Sequence, residues 1–183
     1  MSNLGPAYSN TTNPVALYGL FDQNGNFISG VGPAGVPIVW SGATLGTTTN
    51  DNAAAGQVGE VITATLASGS ATSLSTTVSK NVTSIALTPG DWDVTGTVVL
   101  VLTAATTTDW SAGASSTTGT LGTLDTVNGQ AVVLTTHTDN YTVPVPTVRF
   151  SLAAATTVYL VANATFSAGT VTAWGTIRAR RMR

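Results

Sequence analysis

Cysteine is absent from the 183 residues, and charge is scarce: six Lys and Arg, eight Asp and Glu, one His. The first absence removes disulfides, thiolate chemistry and Cys-based metal sites. The second leaves 8% charged residues against about 25% in an average soluble domain, so surface polarity must come from Thr, Ser, Asn and Gly. A net charge of −2 provides no overall attraction for nucleic acid or an anionic membrane. Long apolar runs are missing too; the longest, 98–102, is far too short to cross a bilayer. The opening MSNLGPAYSNTTN has no basic region followed by an apolar core. A secretory signal is therefore not expected, and the chain is expected to stay in the cytoplasm until it assembles.

What is present is threonine in every part of the chain, a residue whose branched Cβ suits a pleated surface. No segment keeps a 3.6-residue period, and no repeat of fixed length appears. The chain reads as all-β. A charge-poor, Thr-rich chain of this kind is expected to bury much of its surface against copies of itself or a larger assembly, since lone domains rely on charge to stay apart.

The text changes character near residue 56. Over 1–56 stand Pro6, Pro14, Pro33 and Pro37, many glycines and only short apolar pieces. One unit, ALYGLFDQNGNFISGV, flanks Asn24-Gly25 with apolar residues, the strongest short hairpin signal. GPAGVPIVW then reads as an extended piece and TLGTTTNDNAAAGQ as a linker. This region is expected to be an N-terminal anchoring arm held by a neighbouring molecule, with Tyr18, Phe21, Phe27 and Trp40 as contact residues.

Over 57–183 strands follow one another: GEVITATL, a weaker ATSLSTTV, NVTSIAL, and GDWDVTGTVVLVL after a TPG turn. Two more are expected near 109–116 and 131–136, then TVRFSLA, TTVYLVANATF and VTAWGTIRARRMR. In the long strand Trp92, Val94, Val98, Leu100 and Leu102 share one face, while Asp91, Asp93, Thr95, Thr97, Val99 and Val101 share the other. Roughly eight strands joined by Gly, Pro, Asn and Ser turns predict a jelly-roll-like β-sandwich body.

Three stretches carry a resemblance: GQVGE at 56–60, LTPGDWDVTG at 87–96, and the closing strands over 156–183. With the ALYGLFDQNGNFISGVGP region before them, they resemble small structural proteins of tailed bacteriophages. In these, a short N-terminal arm precedes a body with such an opening, strand and ARR-like end. The Pro89-Gly90 turn before Trp92 is also similar to the trimeric jelly rolls of the tumour-necrosis-factor type. The resemblance implies a virion protein assembled in the bacterial cytoplasm. It would be a capsid decoration (cement), head-fibre or tail-fibre component, forming a homotrimer and contacting the major capsid protein or another virion protein. Its motifs are structural rather than catalytic, and charge and motif content lead to the expectation of no nucleic acid or membrane partner, no cofactor and no enzymatic activity.

The candidate sites are few. Asp91 and Asp93, two apart on a strand, could be part of a Ca²⁺ site or an acid/base pair, but calcium wants six to eight oxygens and no acidic cluster adjoins them. The expected reading is a solvated strand face. His137 is the lone histidine and no G-x-S-x-G accompanies it. GVGPAGVP lacks the strand-to-helix context of a nucleotide loop, and Lys80 is not a P-loop lysine. Catalytic, cofactor and metal residues are therefore expected to be none. As a receptor-binding module the chain would build a pocket from the 108–142 region; as a glycan hydrolase it would need two carboxylates in one cleft.

Trp174 shares a strand face with Thr172, Thr176, Arg178 and Arg180, while Val171, Ala173, Ile177 and Ala179 hold the core side. The aromatic on the less apolar face is an interface candidate. The ending TIRARRMR holds four of the six cations. Nucleic-acid binding, a cleavage site and a strand end are its possible readings. The strand end is favoured, with Arg178 and Arg180 pairing carboxylates of a neighbour and 181–183 hanging free.

Overall fold

The computed structural model describes the backbone of 18–21, 27–31, 37–39 and 127–137, and backbone with side chains over 50–122 and 139–183. The chain divides into two units, Met1–Asn50 and Asp51–Arg183. In the first, β1 (Tyr18–Phe21), β2 (Phe27–Val31) and β3 (Pro37–Val39) form an antiparallel sheet in that order. The β1–β2 register runs from Tyr18↔Val31 to Phe21↔Phe27, closing toward the segment that holds Asn24-Gly25, as the hairpin pattern predicts. The VPIVW piece, expected as an extended segment, contributes a third strand. Pro37 opens it, a position where a residue without an N–H is tolerated. The side chains of Tyr18, Phe21 and Phe27, and all of Trp40, lie outside the described residues.

The second unit is a two-sheet sandwich. Its strands are β4 (Val61–Leu66), β5 (Thr72–Ser73), β6 (Lys80–Leu87), β7 (Gly90–Thr103), β8 (Ala105–Ser115), β9 (Val127–His137), β10 (Asn140–Leu152), β11 (Thr156–Ser167) and β12 (Thr170–Arg181). One sheet has the order β10-β7-β12-β4 with β5 beside β12; the other has the order β6-β11-β8-β9. All pairs are antiparallel. The wrapping follows one rule. β8 pairs β9 at the tip of a long hairpin, then β7 pairs β10, β6 pairs β11 and β4 pairs β12, and successive pairs fall in alternate sheets. The contacts of β7 with β12 and of β8 with β11 complete the sheets. A hairpin folded over itself in this way is the jelly roll.

The inner faces follow the two-residue period. Trp92, Val94, Val98, Leu100 and Leu102 of β7 are buried, as are Val158, Leu160, Ala162 and Ala164 of β11 and Val171, Ala173, Ile177 and Ala179 of β12. Small residues on β8 and β11 face a sheet that carries Trp92 and several Leu, so large and small side chains alternate across the core. Trp110 is part of this core: its ring lies 5.0 Å from that of Tyr141, a contact that joins β8 of one sheet to β10 of the other.

Two expectations are revised. ATSLSTTV yields only β5 and a Ser75↔Val78 bridge. Leu74 N–H donates to Val171 O of one sheet and Thr77 N–H to Ala164 O of the other, so the segment crosses between sheets rather than extending either. β10 also begins at Asn140, ahead of TVRFSLA, and includes Pro144 and Pro146. It is an edge strand, where a missing N–H can face outward, and its register shifts between Val145 and Val148. The turn before β12 is tight: Ala168 and Gly169 both have positive φ, 56° and 62°, as a two-residue hairpin requires.

Candidate assembly interface

The outer face of the β10-β7-β12-β4 sheet is laid out by register. Along β12, Thr172, Trp174, Thr176, Arg178 and Arg180 point outward opposite Val101, Val99, Thr97, Thr95 and Asp93 of β7. On the far side β4 sets Thr65, Thr63 and Val61 against Thr176, Arg178 and Arg180. Trp174, Val99 and Val101 are half-buried, whereas Arg178 and Arg180 are exposed. The threonines tie strands together: the Thr65 and Thr176 hydroxyls are 2.9 Å apart, and Thr95 Oγ1 donates to Val145 O at 3.1 Å. The face therefore grades from an aromatic and aliphatic end to a cationic one, as the alternation from Val171 onward predicts.

The outer face of the other sheet is treated differently. Its Val161 is fully buried yet stands apart from the intersheet core cluster. Its register partner Asn81 donates to Thr118 Oγ1 and accepts from Gly119 N–H, both at 2.7 Å, drawing in the loop after β8. Asn163 reaches Ser79 Oγ at 3.1 Å on the same side.

The chain end departs from its expected reading. Arg181 does not hang free; its residue is 5% exposed. Its Nε donates to Glu60 Oε2 at 2.8 Å, its Nη1 to Pro89 O at 2.9 Å and its Nη2 to Thr88 Oγ1. The guanidinium carbon sits 4.1 Å from the centroid of the Trp92 ring. Glu60 Oε2 also accepts from Gly56 N–H at 2.8 Å. The Arg181 hydrogen bond, helped by that of Gly56, holds the Glu60 carboxyl below its ordinary value against the opposing effect of burial. Gly90 makes the approach possible. Its φ is +141°, and a Cβ there would collide with Arg181 Nη1.

Asp91 is corrected likewise. It is buried, not a solvated carboxylate. Arg149 grips it bidentately, Nε to Oδ1 at 2.7 Å and Nη2 to Oδ2 at 2.8 Å, and Arg183 Nε lies 2.9 Å from Oδ2. The Arg149 hydrogen bond holds the Asp91 carboxyl below its usual range against burial, with Arg183 adding a smaller effect, and Asp91 in turn raises Arg149. Both oxygens are thus occupied by guanidinium groups. Arg181 and Arg183 are held by acids of their own chain. Arg178 and Arg180 make no ion pair among the described residues.

One signal for Arg181 was in the text: it continues the odd-numbered inward set of Val171, Ala173, Ile177 and Ala179. Nothing in the sequence singled out Glu60 or Arg149 as partners, because they are distant along the chain. The side chain of His137, on β9, lies outside the described residues. Among the described residues no helix is long and apolar enough to cross a membrane.

No protein-family model matches the chain, and no curated protein sequence matches it. Among solved structures it is similar to the crystal structure of the infectious bursal disease virus VP2 subviral particle, at 14% identity and a TM-score of 0.36. That match covers 67% of this chain and 30% of the other, so the chain spans under a third of that protein's length.

Proposed function

We propose that this chain is a non-enzymatic structural protein of a virus particle: a capsid decoration, or cement, protein of a tailed bacteriophage. Its jelly-roll unit assembles as a homotrimer, and its N-terminal region anchors on the major capsid protein or another virion protein. The observation that carries this reading is the jelly-roll unit with Trp174, Arg178 and Arg180 displayed together on the outer face of one sheet. Jelly rolls recur among viral capsid domains. That is support by fold analogy, and the site supplies the rest. Trp and Arg are the residues most enriched at the energetic centres of protein interfaces. A function of this kind lies in buried area: trimer contacts and an anchoring segment together need roughly 1,200–2,000 Å² or more to hold stably.

The test is to locate the chain in purified particles by cryo-electron microscopy, with a deletion of 1–40 alongside. The expected result is density of the jelly roll on the shell surface in three-fold clusters, lost with the deletion. Density on the tail alone, or truncated protein binding particles with full affinity, would contradict the decoration and anchoring claims respectively. Sedimentation of the 51–183 unit as a monomer at high concentration would contradict the trimer.

A further inference from the structure

We infer that the outer face of the β10-β7-β12-β4 sheet docks on a different protein, through a partner surface presenting a pair of adjacent carboxylates beside an apolar side chain. The inference rests on the reading of this chain as an assembling structural protein and names the chemistry of its partner. The argument starts from how the arginines are used. Arg149, Arg181 and Arg183 each meet a carboxylate of this chain. Arg178 and Arg180 are exposed, two apart on one strand, and without an ion pair among the described residues. Thr63 and Thr95 flank Arg178 in the register, so no acid stands directly across from it. Asp93 is opposite both Arg180 and Arg149. Around this face Arg149, Arg178, Arg180 and Arg183 outnumber Asp91 and Asp93, an excess of two positive charges in a chain whose net charge is −2.

Side chains two apart on a strand stand about 6.6–7 Å from each other. Two guanidiniums at that spacing match two carboxylates on a facing strand, each able to take a bidentate pair. Four residues from Arg178, Trp174 with Val99 and Val101 forms a half-buried apolar end on the same face. A single partner element with alternating acidic and apolar side chains would fit both ends.

Two other occupants fit less well. A second copy must supply the carboxylates from its own acids. Glu60 and Asp91 are already taken by arginines, and Asp51 and Asp139 are already engaged. Asp109 is on the other sheet, so among the described residues Asp93 is the remaining acid of this face; Asp22 and Asp125 lie outside the described residues, and the self-association arm of the test below covers a copy that would supply them. One carboxylate cannot serve two guanidiniums bidentately. A nucleic acid would meet two phosphate-binding cations, whereas proteins held by counterion release make about 6–10 such contacts.

The test uses the full chain and defined probes, so it needs no virus particle and can fail while the virion reading stands. One probe is a blocked ten-residue peptide of alternating Glu and Val; the others are the matching Lys-Val peptide and a 12-base-pair DNA duplex. Binding is read from the indole N–H resonance of Trp174, assigned with Trp174→Phe, and self-association from sedimentation equilibrium. The Glu-Val peptide should shift the Trp174 resonance. Its affinity should fall at least about tenfold in Arg178→Glu/Arg180→Glu and weaken with salt, while the Lys-Val peptide should gain binding to that variant. Circular dichroism confirms that the variant is folded. The inference is overturned by any of three results: unchanged peptide affinity in the charge-reversed variant, tighter binding of the duplex than of the peptide, or self-association that Arg178→Glu/Arg180→Glu abolishes while no peptide binds.

Discussion

The guanidinium of Arg181 lies over the ring of Trp92, 4.1 Å from its centroid, while its edge is held by Glu60, Pro89 and Thr88. One side chain thereby links the last strand, the turn before β7 and the lead-in to β4. Planar stacking and a fork of donors are properties of Arg that Lys lacks.

Arg181→Ala should cost about 3–5 kcal/mol, because it leaves Glu60 buried without its cation. Arg181→Lys should recover only part of that. The double change Glu60→Leu/Arg181→Met should lose much less than the two single changes together. Urea denaturation of the four variants measures the coupling; simple additivity would show that the pair is not a unit.

Gly90→Ala should destabilise by more than about 2 kcal/mol, since an L side chain is strained at that φ and its Cβ meets Arg181. Part of the cost should vanish in an Arg181→Ala background, where the collision is gone and the backbone strain remains. Equal costs in both backgrounds would place all of the effect in the backbone.

Acid should loosen this end of the sandwich first. The carboxyls of Glu60 and Asp91 are both held below their ordinary values in the folded protein. The stability they contribute is therefore fully present above the unfolded values of about 4 and is lost as pH falls through the lower folded values. Glu60→Gln should be less stable than the parent near pH 7, with the gap closing as pH falls below about 4. Chemical denaturation at a series of pH values reads this; a gap that stays constant to pH 2 would rule out Glu60 as a source of the acid sensitivity.

The tryptophans should separate into two classes. Trp110→Ala empties a buried site that bridges the sheets and should cost about 3–5 kcal/mol. Trp174→Ala, on the half-buried outer face, should cost about 1 kcal/mol in stability and show its main effect in assembly. Thermal denaturation beside a particle-binding assay distinguishes them; a large stability loss at Trp174 would make it a core residue rather than a contact.

The Asp51–Arg183 unit should fold without the residues before it, since it is a compact unit in itself and the described members of its core cluster lie between Leu74 and Ala179. A 51–183 fragment should show a cooperative thermal transition close to that of the full chain. A fragment that is molten would refute this.

Much of the architecture follows from local pattern. Alternation in β7, β11 and β12 separates core side chains from outward ones because successive Cβ atoms alternate across a sheet, and it places Trp174, Arg178 and Arg180 together on one face. The same period pointed Arg181 inward, although its charge argues for solvent; only its partners make burial tolerable. β10 was harder to see. Pro144 and Pro146 bring no N–H to a ladder, and their tolerance depends on the strand lying at a sheet edge, which is a property of the assembled sheet.

By itself, then, the sequence determined the all-β class, most strand positions, the NG hairpin and the two faces of the closing strand, all matters of short-range stereochemistry. Tertiary structure alone decided how the hairpin wraps, that Asp91 is gripped by Arg149 and Arg183, that Glu60 receives Arg181, and that Arg178 and Arg180 make no ion pair among the described residues. Each of these depends on residues dozens of positions apart meeting across a strand or a sheet. No local period encodes such a meeting.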